Sequence, residues 1–259
     1  LPWLKYYNAL RYFVSFSYFG KAYHGWQRQP NAITVQEKME EAFATLLRQP
    51  VSLVAAGRTD TGVHAREMVA HADLEDIRDI PLLLYRLNAM LPDDIAIRAL
   101  QPVNAGAHAR FDALERTYEY LIVREKDPFY TDLAHFLSMP LNLDAMNEVA
   151  DMLLEFTDFR CFSRSNTDVK TFDCDIRFAK WKQEGRLLVF TIKADRFLRN
   201  MVRAIVGTLL EVGQGKTSRE DVKGIIKSRD RSQAGVSVPA KGLYLTRISY
   251  PGELFLPGA

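Results

Sequence analysis

The segment AAGRTDTGVHA, Ala55 to Ala65, sets an acid, Asp60, between Arg58 and His64 and between two glycines, Gly57 and Gly62. Three chemistries suit an acid placed in this way. G-R-T-D-T-G-V has the glycine spacing of a phosphate-binding P-loop, but Val63 stands where that loop needs its lysine and no helical pattern follows. A nucleotide cradle is therefore not expected. As a metal ligand or a phosphoryl-accepting nucleophile, Asp60 would need further carboxylates or histidines close by. Asp73, Glu75 and Asp76 come only after the next strand pattern, and no HExxH run occurs. The third reading is a hairpin turn in which Gly57 and Gly62 supply permissive backbone angles and Asp60 satisfies turn amides.

The elements that must hold this loop are legible on either side of it. RYFVSFSYF (Arg11 to Phe19) alternates as a strand does. TVQEKMEEAFATLLRQ (Thr34 to Gln49) carries Val35, Met39, Ala42, Phe43, Leu46 and Leu47 at helical spacing, with Thr34 and Glu37 as a capping box. VSLVAA and MVAHADL predict strands flanking the loop, IPLLLYRLNAML a helix opening at Pro81, and DDIAIRAL a closing strand. After HARFDA the same βαββαβ order returns with additions. Strand TYEYLIV and a short strand in AHFLSM precede helix LDAMNEVADMLLEF, strands TFDCDIRFAKW and RLLVFTIKA, and helix RFLRNMVRAIVGTLLEV. A short helix capped by Ser218 with Asp221, and a last strand GLYLTRISY, complete the set. The expectation is an α+β protein of two ferredoxin-like halves, 11–105 carrying the Asp60 loop and 106–251 carrying a basic helix. Packed side by side, they would form one long, mainly antiparallel sheet with a central cleft. The topology is shared with RRM domains, which bind single-stranded RNA.

Bulk composition narrows the partners. With 259 residues, 47% of them hydrophobic and 25% charged, the chain can bury a full core. A net charge of +2 means that attraction for a polyanion must come from local clusters. Arg196, Arg199 and Arg203 recur at helical spacing opposite Leu198, Val202, Ile205 and Leu209, and Lys216, Arg219, Lys223 and Lys227 follow. Such a cluster suits RNA phosphates and a solvated face alike. Cys161 and Cys174, the two cysteines, build neither a disulfide framework nor a thiolate zinc site. No run approaches a membrane span, and LPWLK has neither the apolar core nor the cleavage site of a signal peptide, so a reducing cytoplasm is expected.

GRTDTGVHA resembles the signature of the tRNA pseudouridine synthases of the TruA family. RTYEY (Arg116 to Tyr120), FLRNMVRAIVG (Phe197 to Gly207) and PAKGLYL (Pro239 to Leu245) resemble that family's other landmarks in the same order. The resemblance implies an isomerase acting on uridines of the tRNA anticodon stem-loop, at tRNA positions 38 to 40, as a homodimer without metal or other cofactor. It makes Asp60 the nucleophile, a sensible choice because a carboxylate can form and release a covalent adduct. It pairs Asp60 with Arg203, whose guanidinium would keep the acid ionised in a water-excluded site and can grip both carboxylate oxygens. Tyr118 is implied to stack on the target base, Arg58 to enter the RNA, and Leu245 to form an apolar wall. His64 is read as structural or RNA-contacting, with Arg196 and Arg199 as further RNA contacts; His71 is read as packed or hydrogen-bonded. The alternatives are a non-catalytic RNA-binding protein of the same fold and, more remotely, a metal-dependent phosphohydrolase using Asp60.

Overall fold

The alternation near the start of the chain becomes strand β1 (Ala9–Tyr18) in the computed structural model, which describes residues 9–164 and 169–256. Tyr12, Val14, Phe16 and Tyr18 share one face and are all buried, as period-two side chains must be when a sheet face meets a core. β1 lies between β3 (His64–Glu75) and β4 (Ile95–Val103), antiparallel to both, and the two-residue β2 (Val54–Ala55) pairs with β3. Helix α1 (Val35–Leu47) buries Val35, Met39, Ala42 and Phe43 at helical intervals. Thr34 caps it by accepting from the Glu37 amide at 3.3 Å, while the Glu37 carboxylate turns to Arg28, 3.6 Å away. Helix α2 (Ile80–Met90) opens on the Asp79 carboxylate, which accepts from the Leu82 amide at 2.9 Å. The strand expected over VSLVAA shrinks to two residues. Leu53 instead donates its amide to Glu40 at 2.9 Å and accepts from Gln36 at 3.1 Å, which ties that backbone to α1.

The chain up to Leu114, with the stretch from Thr246, forms one compact unit, and Glu115–Leu245 forms a second. The expected division between residues 105 and 106 thus moves to Leu114, and the tail belongs with the first unit. Hydrogen bonds explain this: the Leu114 amide donates to the Ser249 carbonyl at 2.8 Å, the Tyr250 hydroxyl to the Ala109 carbonyl at 2.6 Å, and the Asn104 amide to the Leu254 carbonyl at 2.9 Å.

In the second unit β5 (Glu115–Val123), β8 (Leu187–Ala194) and β7 (Ile176–Glu184) lie side by side and antiparallel, and β6 (His135–Phe136) pairs parallel to β5. Tyr120, Phe190 and Trp181 fall opposite one another across the three strands and are fully buried. Helices α3 (Leu143–Met152), α4 (Met201–Gly213) and α5 (Arg219–Ser228) complete it. α5 carries the expected capping box, Ser218 with Asp221. The last strand, β9 (Leu243–Ser249), begins in the second unit and ends in the first. The protein is therefore mixed α+β with largely antiparallel strands.

One expectation about α4 is overturned. The helix begins at Met201 rather than near Arg196, because Asn200 takes a left-handed conformation (φ 66°) and a turn joins the Met201 amide to the Leu198 carbonyl at 3.1 Å. Arg196 and Arg199 therefore do not share a helical face with Arg203, and there is no continuous basic stripe. α4 is a core helix in which Arg203 and Glu211 alone among its residues are not buried. A helix apolar on nearly every side belongs inside.

Burial pushes both the Cys161 and the Cys174 thiols up to about 12, so neither is a nucleophile near neutrality. Of the polar stretch Cys161 to Lys170, residues 165–168 lie outside the described residues. His71 is 6% exposed and accepts the Ala109 amide at 3.1 Å on Nδ1. Burial, with the charges of Arg11 and His108, lowers its pKa to about 4 against the pull of Asp73 and Asp112. Between about pH 6.5 and pH 4 the unfolded chain takes up a proton that folded His71 refuses. Its contribution to stability is therefore complete above that window and is lost as pH falls through it. A His71→Gln variant should lose stability less steeply than wild type in denaturant titrations across this range, by up to about 1.4 kcal/mol per pH unit. Parallel curves for the two proteins would show that His71 does not carry the titration.

Candidate active site

Within the first unit, the loop between β2 and β3 presents Arg58 exposed and Asp60 half-buried. Asp60 starts a tight turn: its carbonyl accepts the Val63 amide at 3.1 Å, and Gly62 sits at φ 77°, a conformation that favours glycine. Gly57 differs. It has no positive φ, and an added Cβ would meet open space, so the expectation that both glycines supply special angles holds for Gly62 alone.

The turn is fixed by the segment from Tyr18 to Gly25, most of which lies between the expected first strand and the expected first helix. The Gly62 amide donates to the Tyr23 carbonyl at 3.3 Å, and the Tyr18 and Thr59 hydroxyls bond at 2.8 Å. Gly25, at φ 85°, lies so close to the Thr59 carbonyl that a Cβ would collide with it, and a Cβ on Gly20 would strike the Val63 carbonyl. His64 belongs to this brace. It is 1% exposed, accepts the Gly20 amide on Nδ1 at 2.9 Å and stacks on Phe19 with ring centroids 4.4 Å apart. The RNA-contact reading of His64 therefore gives way to the structural one: its ring is enclosed.

Within the second unit, Arg203 lies in the first turn of α4 and is half-buried. Its Nε donates to the Val238 carbonyl at 2.7 Å, and the Val238 amide donates to the Arg203 carbonyl at 3.2 Å. The Val238 carbonyl of a neighbouring strap thus holds one edge of the guanidinium. That strap touches the helix backbone directly. A Cβ on Gly207 would collide with the Val236 carbonyl, and one on Gly235 would lie 2.7 Å from the Thr208 amide nitrogen. Tyr118 is half-buried on β5 with its ring edge-on to Phe197, centroids 5.1 Å apart. Tyr120, one step inward, donates its hydroxyl to the Pro239 carbonyl at 2.9 Å. Burial raises its pKa, partly offset by the charge of Arg203. Gly242 passes 2.8 Å from the Tyr120 ring, measured from where a Cβ would stand, so PAKGLYL is packed onto RTYEY. Leu245 is 2% exposed.

Arg199 is exposed and Arg196 half-buried in the turn before α4, while Lys216, Arg219 and Lys227 are exposed on and beside α5, with Lys223 half-buried between them. Among the described residues, no three His, Cys, Asp or Glu side chains form a group that could hold a metal ion. No described helix is long and apolar enough to cross a membrane.

The brace around Asp60 generates a test of its own. Gly25→Ala combines a positive φ with a carbonyl clash and should destabilise the protein by about 1–3 kcal/mol. Gly57→Ala should stay within about 0.5 kcal/mol of wild type. Denaturant midpoints measure both, and equal effects would mean that the loop is not held through Gly25.

Comparison with known proteins agrees with the motif order. A family model described as tRNA pseudouridine synthase matches residues 14–112 and 152–251. A protein of Parabacteroides distasonis named tRNA pseudouridine synthase A is 52% identical over 246 residues, 95% of this chain and 98% of that protein. The protein of the same name from Porphyromonas gingivalis is 53% identical over 251 residues, covering 95% of this chain and 99% of its own. At 36% identity, that of Aliivibrio salmonicida still spans 96% of this chain and 95% of its own. A similarity that takes in the Asp60 loop, the Arg203 helix and the strand that carries Leu245 places this chain in the tRNA pseudouridine synthase family.

Proposed function

We propose that this protein isomerises uridine to pseudouridine in the anticodon stem-loop of tRNA, at positions 38 to 40, with Asp60 as nucleophile and no cofactor. The observation that carries the reading is the state of the Asp60 loop: an acid held half-buried at a turn whose backbone is locked from several sides, in a chain of this family. A hairpin that merely reverses direction needs no such brace.

The reaction breaks the bond between N1 of uracil and C1′ of ribose, turns the base, and joins C5 to C1′. The C5 proton is released and N1 regains one, so nothing is oxidised and no group is lost. Asp60 forms and releases the covalent adduct that carries the base or the sugar between the two bonds. Arg203, with Nε anchored on Val238, offers its Nη edge to grip both oxygens of the carboxylate. Tyr118 stacks on the extruded base, offsetting part of the stacking lost when it leaves the RNA, about 1–3 kcal/mol. Leu245 walls the pocket. Arg58, exposed beside Asp60, enters the RNA and holds the base out, while Arg196, Arg199 and the α5 lysines meet phosphates.

Strand order supports the finer architectural reading. In the first unit β4, β1 and β3 are neighbours with β2 on β3, and two helices connect them, the arrangement of a ferredoxin-like half. The second unit repeats βαββ with helices added. We take the protein to be two such halves side by side around an RNA-binding cleft, acting as a homodimer in the cytoplasm.

Tritium release from tRNA labelled at C5 of uridine tests the reaction, and mapping the product tests its site. Asp60→Asn should bind tRNA about as well as wild type and release no tritium; continued release would remove Asp60 from its role. Arg203→Lys should slow release by roughly 100-fold, the scale of a misplaced catalytic group, with little change in tRNA affinity. Equal losses in rate and affinity would make Arg203 a phosphate contact. Wild-type protein that binds tRNA but releases nothing would be a non-catalytic binder.

A further inference from the structure

We infer that Ser237 and Arg231 form a latch that positions Arg203 for catalysis, an inference that rests on the reading of Arg203 as the partner of Asp60. The observations all lie in the second unit. Arg203 is fastened to Val238 twice, once through its side-chain Nε at 2.7 Å and once through its backbone carbonyl at 3.2 Å. Where Val238 stands therefore helps to set where the guanidinium points. Val238 is not part of a helix or strand, so regular structure does not place it.

The residue before it supplies the placement. Ser237 Oγ accepts from Asn200 Nδ2 at 2.6 Å and from Arg231 Nη2 at 2.9 Å. Asn200 is the left-handed residue immediately before α4, and Arg231 begins the strap that ends at Val238. One hydroxyl thus joins the start of the Arg203 helix to both ends of the strap. Arg231 also folds the strap on itself, donating through Nη1 to the Ala234 carbonyl at 3.1 Å. The middle is seated by Thr208, whose hydroxyl donates to the Ala204 carbonyl at 3.1 Å and accepts the Gly235 amide at 2.9 Å. Gly207 and Gly235 let the two backbones approach this closely. Val236 is 83% exposed at the bend itself, while Ala234 and Val238 on either side of it are buried, so apolar packing seats the strap and the polar bonds fix where Ser237 and Val238 stand within it.

An arginine fixed before substrate arrives loses less freedom when it closes on its carboxylate. A shift of about 1 Å in a positioning group is enough to slow a reaction by roughly 100-fold. Ser237 and Arg231 touch no reacting atom in this scheme; they act through Val238 and Arg203.

The experiment compares Ser237→Ala, Ser237→Thr, Arg231→Gln and Arg203→Lys with wild type in the full chain. Single-turnover tritium release from C5-labelled tRNA gives the rate, filter binding gives tRNA affinity, and melting curves set an assay temperature at which each variant is folded. Ser237→Ala and Arg231→Gln should slow release by roughly 10- to 100-fold with affinity unchanged, and Ser237→Thr, which keeps the hydroxyl, should hold the wild-type rate. Should Arg231→Gln fail to fold, the Ser237 pair decides alone. A normal rate in Ser237→Ala, alongside a slow Arg203→Lys, overturns the latch while sparing the role of Arg203. Equal slowing in Ser237→Ala and Ser237→Thr also overturns it, because the hydroxyl would then not matter. A normal rate in Arg203→Lys removes the reading on which the latch rests.

Discussion

The hydrogen bond from Arg203 Nε to the Val238 carbonyl fixes where the strap from Arg231 to Val238 meets α4. Arginine carries about 2 kcal/mol of side-chain rotamer entropy, and a guanidinium left to wander would surrender that freedom at each encounter with its partner. Anchoring it during folding moves the cost to a step taken once. The geometry needed for this is demanding. A carbonyl must arrive beside the first turn of a helix whose other faces are already packed, and only a strap running against the helix backbone can bring it there. Gly207 is the opening through which the strap approaches, and the early end of α4 at Asn200 leaves room for its polar latch.

The first unit solves a related problem with different means. Asp60 has a short side chain, so placing its carboxylate is a matter of placing its backbone. The contacts that do so are mostly main-chain ones: the Gly62 amide on the Tyr23 carbonyl, and the close approaches at Gly20 and Gly25. His64 adds a buried acceptor for an amide that would otherwise be unmatched inside the protein. A long side chain is held by its own nitrogen and a short one by the peptide beneath it.

The same contrast explains what the sequence disclosed. Strands and helices that bury one face announced themselves by period, as in Tyr12 to Tyr18 or Val35 to Phe43. The roles expected of Asp60, Arg203 and Tyr118 came instead from the order of four motifs, since each residue taken alone suited a turn, a solvated face or a packed strand as well. Arg196 and Arg199 misled, since helical spacing is a statement about side chains and the helix was stopped by a backbone event, the left-handed Asn200. Val238 was invisible for a deeper reason: it acts through a carbonyl, which every residue has. The legible trace of such contacts is a glycine where another backbone must pass, and Gly20, Gly25, Gly207 and Gly235 were that trace. Gly57 shows its limit, for nothing in its surroundings requires a glycine.

Burial of α4 also separates two roles that the basic sequence seemed to merge. A helix that buries eleven of its residues cannot present a broad charged face to a polynucleotide. Its one arginine is instead anchored, through Nε, on the Val238 carbonyl. On the proposed function, attraction for the phosphate backbone falls to side chains that solvent already reaches: Arg58 and Arg199 in loops, and Lys216, Arg219 and Lys227 on and beside α5. With a net charge of only +2, such clusters rather than a global field must gather the RNA. Salt screens exposed charges far more than partly buried ones, so on the proposed function ionic strength should act on capture of the RNA and leave the bond-breaking step nearly untouched.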